Sequence, residues 1–306
     1  MKTIVVIGQT LLVILLAPLI GGFIRKIKNN LRMRKGAPVL QPYYNLSKLF
    51  IKQEVVSDNS SWIFKITPFI VLGAAVTALL LVPFFHTGFS LSNIGDFFAL
   101  IFILSLGRFF LALAGLDTAS SFGGMGSSRE MFLSSLVEPT AILAVMAVSL
   151  NAGSTNLEMI ANVGAIPVSS LLAALALFLV TIVETGRIPI DNQETHLELT
   201  MIHEAMVLEY SGRSLAMIEL AAYIKQAIFF SLIAGIILPF SIVYPFSYAQ
   251  VLAGFALFGG EIVAIAVITA VTEVSIAKMR LFRAVDFLAF SFALGIMAVV
   301  AQSIRL

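Results

Sequence analysis

One short window of the chain, from Glu184 to Arg213, contains the residues with the greatest capacity for chemistry. Only 12% of the chain is charged, and 17 residues in all are Asp or Glu. Within the window lie the acids Glu184, Asp191, Glu194, Glu198, Glu204 and Glu209, together with Arg187, Arg213, His196 and His203. Carboxylates concentrated in one loop between apolar segments indicate proton transfer, cation binding or a partner surface.

The rest of the chain has the composition of a polytopic membrane protein. It is 59% hydrophobic with a mean hydropathy of +1.01, whereas soluble domains are about 45–50% apolar. The net charge of +2 is too small to indicate nucleic acid binding. The chain has no cysteine, which excludes disulfides, a thiolate nucleophile and a cysteine-ligated iron–sulfur cluster. We therefore expect no cofactor on this chain, and any redox centres would belong to partner chains.

A membrane-spanning helix needs about 20 mostly apolar residues, and eight segments meet this requirement. They are residues 3–24, 64–85, 94–116, 130–150, 167–186, 216–240, 248–276 and 286–304. These segments predict an all-α polytopic membrane protein, in which residues 1–306 form a single integral-membrane domain with eight transmembrane helices.

The basic residues of the loops predict the topology. Lys and Arg occur after the first, third, fifth and seventh spans, whereas the loops near 86–93, 151–166 and 241–247 contain neither. The positive-inside rule then places the basic loops in the cytoplasm and both termini on the non-cytoplasmic side. We expect a multi-pass protein of a prokaryotic cytoplasmic membrane.

The first cytoplasmic loop carries a second pattern. Leu46, Leu49 and Phe50 fall on one helical face, and Lys48 and Lys52 fall on another. This pattern predicts an amphipathic helix at the membrane interface or against a partner. A solvated basic loop that only sets the topology is the alternative.

The start of the fourth span is predicted from a local motif. Ser127 and Glu130 have the spacing of a capping box, which predicts that the helix begins there. The preceding Gly123–Gly126 run is interpreted as a tight turn, because the phosphate-loop pattern is absent.

Several charges lie within or at the edges of predicted spans, where each costs about 2.5–3.5 kcal/mol on insertion scales. They are Arg108, Glu138, Glu184, Glu219, Lys225, Glu261 and Glu273. We expect them to face the bundle interior and to pair with one another. A static set of ion pairs and a proton or cation path are both possible, and the excess of acids over bases favours the path.

Spacing adds detail to these candidates. On an ideal helix Asp191, Glu194 and Glu198 would share a face. Glu261 and Glu273 would be about 18 Å apart on one helix, as two stations on one route. His196 and His203 would be about 10 Å apart, too far to share a metal, so surface or partner contact is expected for both. We predict no metal site.

Three cytoplasmic blocks resemble a known family. They are R-M-R-K-G-A-P-V-L-Q-P-Y-Y-N-L-S-K-L-F-I-K-Q-E at 32–54, G-R-F-F-L-A-L-A-G-L-D-T-A-S-S-F-G-G-M-G-S-S-R-E-M-F at 107–132, and E-T-G-R-I-P-I-D through E-Y-S-G at 184–212. The chain resembles the membrane-anchor subunit shared by respiratory complex I (its subunit 1) and by group 4 membrane-bound [NiFe] hydrogenases and formate hydrogenlyases.

The resemblance implies a role as an anchor and coupling subunit. Members dock a hydrophilic redox arm, here through loops 25–61, 117–129 and 187–215. The implied partners are [NiFe]-hydrogenase large and small iron–sulfur subunits, antiporter-like membrane subunits and the lipid bilayer. With the patterns above, the ion-path candidates are Glu138, Glu184, Asp191, Glu194, Glu198, Glu204, Glu209, Glu219, Lys225, Glu261 and Glu273. The candidates for charge pairing and docking are Arg108, Arg129, Arg187 and Arg213.

Departures from the sequence motifs of complex I members favour the hydrogenase branch. Gly186, Ile190 and Asn192 replace the usual Asn, Phe and Leu, and His196 stands where an acid is expected. About three extra residues precede Glu209, Leu116-Asp117-Thr118 replaces a W-S-S-N-type sequence, and Asn45 takes a usual Asp position. The alternative is a quinone-chamber subunit of NADH:quinone oxidoreductase. A stand-alone secondary transporter is a distant third, because such proteins often show two related halves that this chain lacks.

Overall fold

The computed structural model describes residues 2–57, 60–82, 95–161, 167–191, 201–237, 248–279 and 281–304. The helices in these ranges are α1 Lys2–Leu31, α2 Gln41–Ile51, α3 Trp62–Leu81, α4 Phe97–Asp117, α5 Ser121–Ala152, α6 Leu157–Ala161, α7 Val168–Glu184, α8 His203–Val207, α9 Gly212–Ile237, α10 Tyr248–Ser275 and α11 Leu281–Ser303. Within the same ranges, an antiparallel bridge joins Asp96 to Asn156.

The predicted all-α membrane fold is confirmed. Seven helices in the described ranges are long and apolar enough to cross a membrane, and these lie in α1, α3, α4, α5, α9, α10 and α11. The predicted fifth span, 167–186, corresponds to α7, which is apolar but only 17 residues long. That length is at the lower limit for a spanning helix, about 17–25 residues. The count of eight spans remains a prediction.

Helix α9 is the central packing element of the bundle. It packs against α1, α2, α3, α7 and α10. In its most apolar stretch 67% of residues are buried, the highest share among the seven long apolar helices. Ile224, Ile228 and Phe230 are fully enclosed. The polar residues of α9 are therefore held in fixed positions against several neighbouring helices.

Helix α5 begins earlier than the capping motif predicts. It starts at Ser121, and the Ser120 hydroxyl accepts a hydrogen bond from the Gly123 amide at 3.1 Å. The Gly123–Gly126 run is helical, so the predicted tight turn and the predicted start at Ser127 are both wrong. The physical reason is close packing: a Cβ at Gly126 would lie 2.8 Å from the Ala205 Cβ, and Ser127 donates instead to the Ala112 carbonyl at 2.8 Å.

The predicted amphipathic helix is present as α2. Pro42 and Leu46 are buried where α2 packs against α1 and α9. Lys48 lies on the exposed side, as predicted, but Phe50 is 41% exposed rather than buried with Leu46. The inner face of α2 is therefore narrower than the sequence pattern indicates.

The basic loops meet at one end of the bundle. Hydrogen bonds join Ser211 Oγ to the Val55 carbonyl (2.9 Å), the Ser61 amide to Asp117 Oδ2 (2.7 Å), the Met279 amide to the Pro189 carbonyl (2.9 Å) and Arg129 to the Met201 carbonyl (2.8 Å). At the opposite end, the Phe97 amide donates to the Thr155 carbonyl at 3.2 Å. We call the first end the basic-loop face. Its cytoplasmic location remains a prediction.

Cysteine labelling tests that location, because the chain has no cysteine of its own. Lys35 and Thr155 are exposed at opposite ends of the bundle. We expect an impermeant maleimide to label Lys35→Cys only from the cytoplasmic side of membrane vesicles and Thr155→Cys only from the other side. The reverse labelling pattern would contradict the predicted topology.

Candidate functional site

Arg108 is the centre of a buried group of charges. It lies near the middle of α4 and is 9% exposed. Its guanidinium contacts the Glu184 carboxylate directly, Glu138 at 3.1 Å and Glu130 at 3.9 Å. Lys225 Nζ lies 3.1 Å from the second oxygen of Glu184. We call these five residues the Arg108 cluster.

The Arg108 cluster joins four helices. Arg108 comes from α4, Glu130 and Glu138 from α5, Glu184 from the end of α7, and Lys225 from α9. Because a charge in a low-dielectric interior is stable only when it is paired and hydrogen-bonded, these helices are constrained at their points of contact. The cluster thus explains why the short helix α7 has a fixed position relative to α4 and α9.

A second buried cluster surrounds Glu273 of α10. Its carboxylate, 3% exposed, lies 2.6 Å from Arg187 Nη1 and 3.3 Å from Lys28 Nζ. Arg187 also donates to Gln226 Oε1 at 2.9 Å. We call Lys28, Arg187, Gln226 and Glu273 the Glu273 cluster. It connects α1, α9, α10 and the segment that follows α7.

Asp191 holds the loop after α7 in place. It is 1% exposed, and its Oδ2 accepts hydrogen bonds from the amides of Ile202 and His203, both at 3.0 Å. Its Oδ1 lies 3.4 Å from Lys278 Nζ. Burial lowers the pKa of Lys278, and the Asp191 carboxylate opposes that shift. These contacts give Asp191 a positioning role where the loops from α7 and α10 meet.

A cavity of about 370 Å³ lies between the two clusters. Glu184 and Lys225 of the Arg108 cluster line it, as do Arg187 and Gln226 of the Glu273 cluster. The other polar lining residues are Arg25, Thr185, His203, Glu204, Tyr210, Glu219 and Tyr223. A smaller cavity of about 50 Å³ shares His203 and Lys225 with it and reaches Arg108 and Glu130. Both charge clusters therefore have contact with one polar space.

Glu204 is an acid on the cavity wall whose environment favours proton binding. It lies in the short helix α8, outside the spanning helices. Burial raises the pKa of Glu204, and the charges of Asp191 and Glu219 raise it further, whereas His203 opposes the shift. A carboxyl with a raised pKa takes up and releases protons closer to neutral pH, as proton-transfer groups do.

Tyr210 fixes the segment after α8 against α3. Its hydroxyl donates to the Phe64 carbonyl at 3.0 Å, and the two rings stack with centroids 4.0 Å apart. Burial raises the pKa of Tyr210, so its hydroxyl stays protonated and serves as a hydrogen-bond donor. This contact helps to hold Glu204 and the adjacent cavity wall in position.

The structure brings most of the predicted site residues together. The residues in the two clusters or on the cavity wall are Arg108, Glu138, Glu184, Arg187, Glu204, Glu219, Lys225 and Glu273. Asp191 and Arg129 instead hold the loop near Met201 and Ile202. Glu194, Glu198 and His196 lie outside the described residues.

Other predicted residues lie elsewhere. Glu209 is half-buried but is not on the wall of the larger cavity. Arg213 is exposed at the start of α9. Glu261 is half-buried on α10, away from Glu273 in sequence, and has no ion pair in the described part of the chain. His203, for which surface or partner contact is predicted, is half-buried and lines both cavities.

Sequence reasoning missed four residues of the site. Lys28 and Arg25 were counted only as loop charges, although they lie within α1. Glu130 was assigned to a capping box, because the true start of α5 was not recognised. Gln226 carries no charge and gave no signal. A search for charges within one turn beyond the predicted span ends would have found Arg25 and Lys28.

This arrangement defines a class: a multi-pass helical membrane protein that buries paired charges around an internal polar cavity. The family model described as NADH dehydrogenase matches residues 2–303, and the chain belongs to that family.

Individual relatives indicate a branch of this family. The chain is 35% identical to Hydrogenase-4 component C of Escherichia coli (strain K12), over 94% of the chain and 92% of that protein. It is 32% identical to Formate hydrogenlyase subunit 4 of the same strain, over 89% and 90%. NADH-quinone oxidoreductase subunit 8 of Rhodothermus marinus is 29% identical over 66% of the chain and 62% of that protein. The predicted resemblance to the hydrogenase branch is confirmed.

A solved structure supports the fold. A chain of the membrane-bound sulfane sulfur reductase, an archaeal respiratory membrane complex, superposes with a TM-score of 0.81 at 20% identity. The match covers 97% of this chain and 99% of that one. The two chains therefore share the same fold.

Removal of Arg108 tests the importance of its cluster. Arg108→Met would leave the buried carboxylate of Glu184 with only Lys225, and loss of one partner from a buried ion pair costs about 3–5 kcal/mol. We expect a much lower thermal unfolding midpoint in detergent and a lower yield. Arg213→Met, at an exposed site, is the control and should leave both unchanged. Equal stability of the two variants would show that the cluster is not structurally important.

The raised pKa of Glu204 predicts a pH dependence. As the pH rises past the ordinary glutamate pKa, the unfolded chain loses its proton first, so the folded state loses stability until the raised pKa is passed. Glu204→Gln cannot titrate, so this loss of stability is absent from that variant. We therefore expect the unfolding midpoint of the unmodified protein to fall relative to that of Glu204→Gln as the pH rises from the ordinary glutamate pKa to the raised pKa. A difference that is independent of pH would contradict the assignment.

Proposed function

We propose that this chain is a single integral-membrane domain that serves an energy-converting, formate-hydrogenlyase-type [NiFe] hydrogenase complex. In this complex it anchors the hydrophilic redox arm and couples electron transfer to the translocation of protons or sodium ions. The observation that carries the proposal is the polar cavity in which the two buried charge clusters meet, close to the basic-loop face. The similarity to the hydrogenase and formate hydrogenlyase relatives supports the choice of complex.

We assign docking of the hydrophilic redox arm to the basic-loop face. The loops 25–61, 117–129 and 187–215 are cross-linked there by the hydrogen bonds that involve Ser211, Asp117 and Arg129. Apolar side chains are exposed among these charges, including Val55 at 75%, Leu116 at 55% and Leu208 at 43%. A mixed apolar and charged surface of this kind is suitable for a stable protein partner.

Coupling is assigned to the electrostatics of the cavity. A unit charge that arrives about 10 Å from a carboxyl changes its energy by about 1.7 kcal/mol at an effective dielectric constant of about 20. This change corresponds to about one pKa unit. Reduction of a cluster in the docked arm would therefore favour proton uptake by Glu204 or Glu219 on the cavity wall.

The route from the cavity is assigned to Glu184 and its partners. A proton or cation that reaches the Glu184 carboxylate reduces its attraction for Lys225 and Arg108. The excess positive charge then favours release of an ion towards Glu138, the next carboxylate bound to Arg108. Arg187 Nε and Gln226 Nε2 are buried donors with no acceptor in the described part of the chain, which is suitable for hydrogen bonds to water.

A quinone-binding subunit of NADH:quinone oxidoreductase is the second candidate. The cavity volume of about 370 Å³ lies in the range of small-molecule sites, about 300–1,000 Å³. The hydrogenase and formate hydrogenlyase relatives match more of the chain at higher identity than the NADH-quinone oxidoreductase relative, so we rank this function second. The sodium or proton identity of the translocated ion is a separate question, which sodium dependence of transport would answer.

Purification in a mild detergent, with a tag on this chain, tests the proposed function. We expect co-purifying subunits that contain nickel and iron–sulfur clusters and a preparation that evolves hydrogen. NADH-oxidising subunits with bound quinone would instead support the second candidate. A chain that is isolated alone and transports a solute would contradict both.

The assignment of Glu204 to the ion path gives a matched pair of variants. Glu204 and Glu209 lie close together in sequence and are both half-buried, but only Glu204 lines the larger cavity. We expect Glu204→Gln to lower ion transport per electron by about 100-fold, within the range of proton-transfer groups. Glu209→Gln should retain most of it. The measurement is ion uptake by vesicles that contain the purified complex, normalised to hydrogen evolved, and equal effects of the two substitutions would contradict the path.

A further inference from the structure

Helix α10 has the least covered surface of the long apolar helices. It packs against α1 and α9. In the most apolar stretch of α10 only 28% of residues are buried, compared with 39–67% in the other six long apolar helices of the described ranges. Most residues of this stretch are therefore accessible to the bilayer or to a neighbouring protein.

Glu261 is the feature of this surface that lipid does not explain. It lies near the middle of α10 and is half-buried, with no ion pair in the described part of the chain. Asp117 and Asp286 lie at or near the ends of α4 and α11. The other acids within the long apolar helices are ion-paired, as Glu138 and Glu273 are, or line the cavity, as Glu219 does. Ionisable groups at the centre of a membrane helix almost always face protein or water, because exposure to lipid is expensive.

The surface next to Glu261 permits close approach of another helix. Ala256, Gly260 and Ala264 are exposed at intervals of four residues, so they lie along one face. A Cβ built on Gly260 would have no neighbour within 4 Å. Small residues at this spacing allow two membrane helices to pack with their backbones close together, which strengthens any polar contact between them. Leu257 and Val263 are exposed beside them and supply apolar contact area.

We propose that this face of α10 binds a transmembrane helix of another membrane subunit, and that this helix presents a Lys or Arg side chain to Glu261. Charge complementarity determines the choice of partner. A basic side chain would compensate Glu261 across the subunit boundary as Arg108 compensates Glu184 within the chain. The inference rests on the proposed membership of a membrane complex, but it is independent of which redox reaction the complex catalyses.

Composition of the purified complex provides the first test. Glu261→Leu should reduce retention of one membrane subunit by about threefold to twentyfold, the range for polar contacts between membrane helices. Glu261→Gln, which keeps hydrogen-bonding capacity, should have an intermediate effect. Asp286→Leu is the matched control, because it removes an exposed acid from α11. The amount of this chain in the membrane is measured in parallel, and unchanged composition in Glu261→Leu would overturn the proposal.

Photo-cross-linking from Leu257, one turn before Glu261, provides the second test. In the intact complex, p-benzoylphenylalanine at position 257 should cross-link to a transmembrane segment that contains Lys or Arg. The cross-link should weaken in Glu261→Leu. Cross-links only to lipid, to a second copy of this chain or to a segment without a basic residue would overturn the proposal.

The two proposals fail in different ways. A complex without nickel or iron–sulfur subunits that still shows the cross-link to a basic membrane helix would contradict the hydrogenase assignment alone. An intact hydrogenase without that cross-link would contradict the α10 interface alone.

Discussion

The rest of the structure depends on one interaction, the ion pairing of the Arg108 guanidinium in a low-dielectric interior. Three carboxylates from two other helices surround it, and Lys225 of α9 completes the group through Glu184. None of these charges is stable in the bilayer alone. The helices that carry them must therefore remain together, and the position of the cavity follows from this constraint.

The cavity wall is charged because residues of both charge clusters lie on it. Lys225 and Gln226 are consecutive on α9, yet one belongs to the Arg108 cluster and the other to the Glu273 cluster. The central helix thus connects the clusters over a short distance. The loops of the basic-loop face cover the same region, where Asp191 and Tyr210 hold the segment that carries Glu204. A charge change outside the membrane at this face would act on groups within the bundle.

Much of the fold could be predicted from the sequence, because the apolar segments and the basic loops are independent and strong signals. The pairing of charges within the spans was expected on energetic grounds, but the partners could not be assigned. Glu130 is an example, because its contact with Arg108 depends on α5 starting at Ser121 rather than Ser127. Glycines that permit close helix packing resemble turn residues in sequence. Gln226 and Lys28 were missed because their roles depend on tertiary contacts with Arg187 and Glu273.

An experimental structure of the purified complex, at a resolution that shows ordered water, tests the central claim most directly. The account predicts a hydrophilic subunit over the basic-loop face and water molecules in the cavity that link Glu204 to Glu184. A hydrophilic arm on the opposite face, near Thr155, would contradict it. A cavity filled by protein side chains or by a quinone ring would also contradict the proposed ion path.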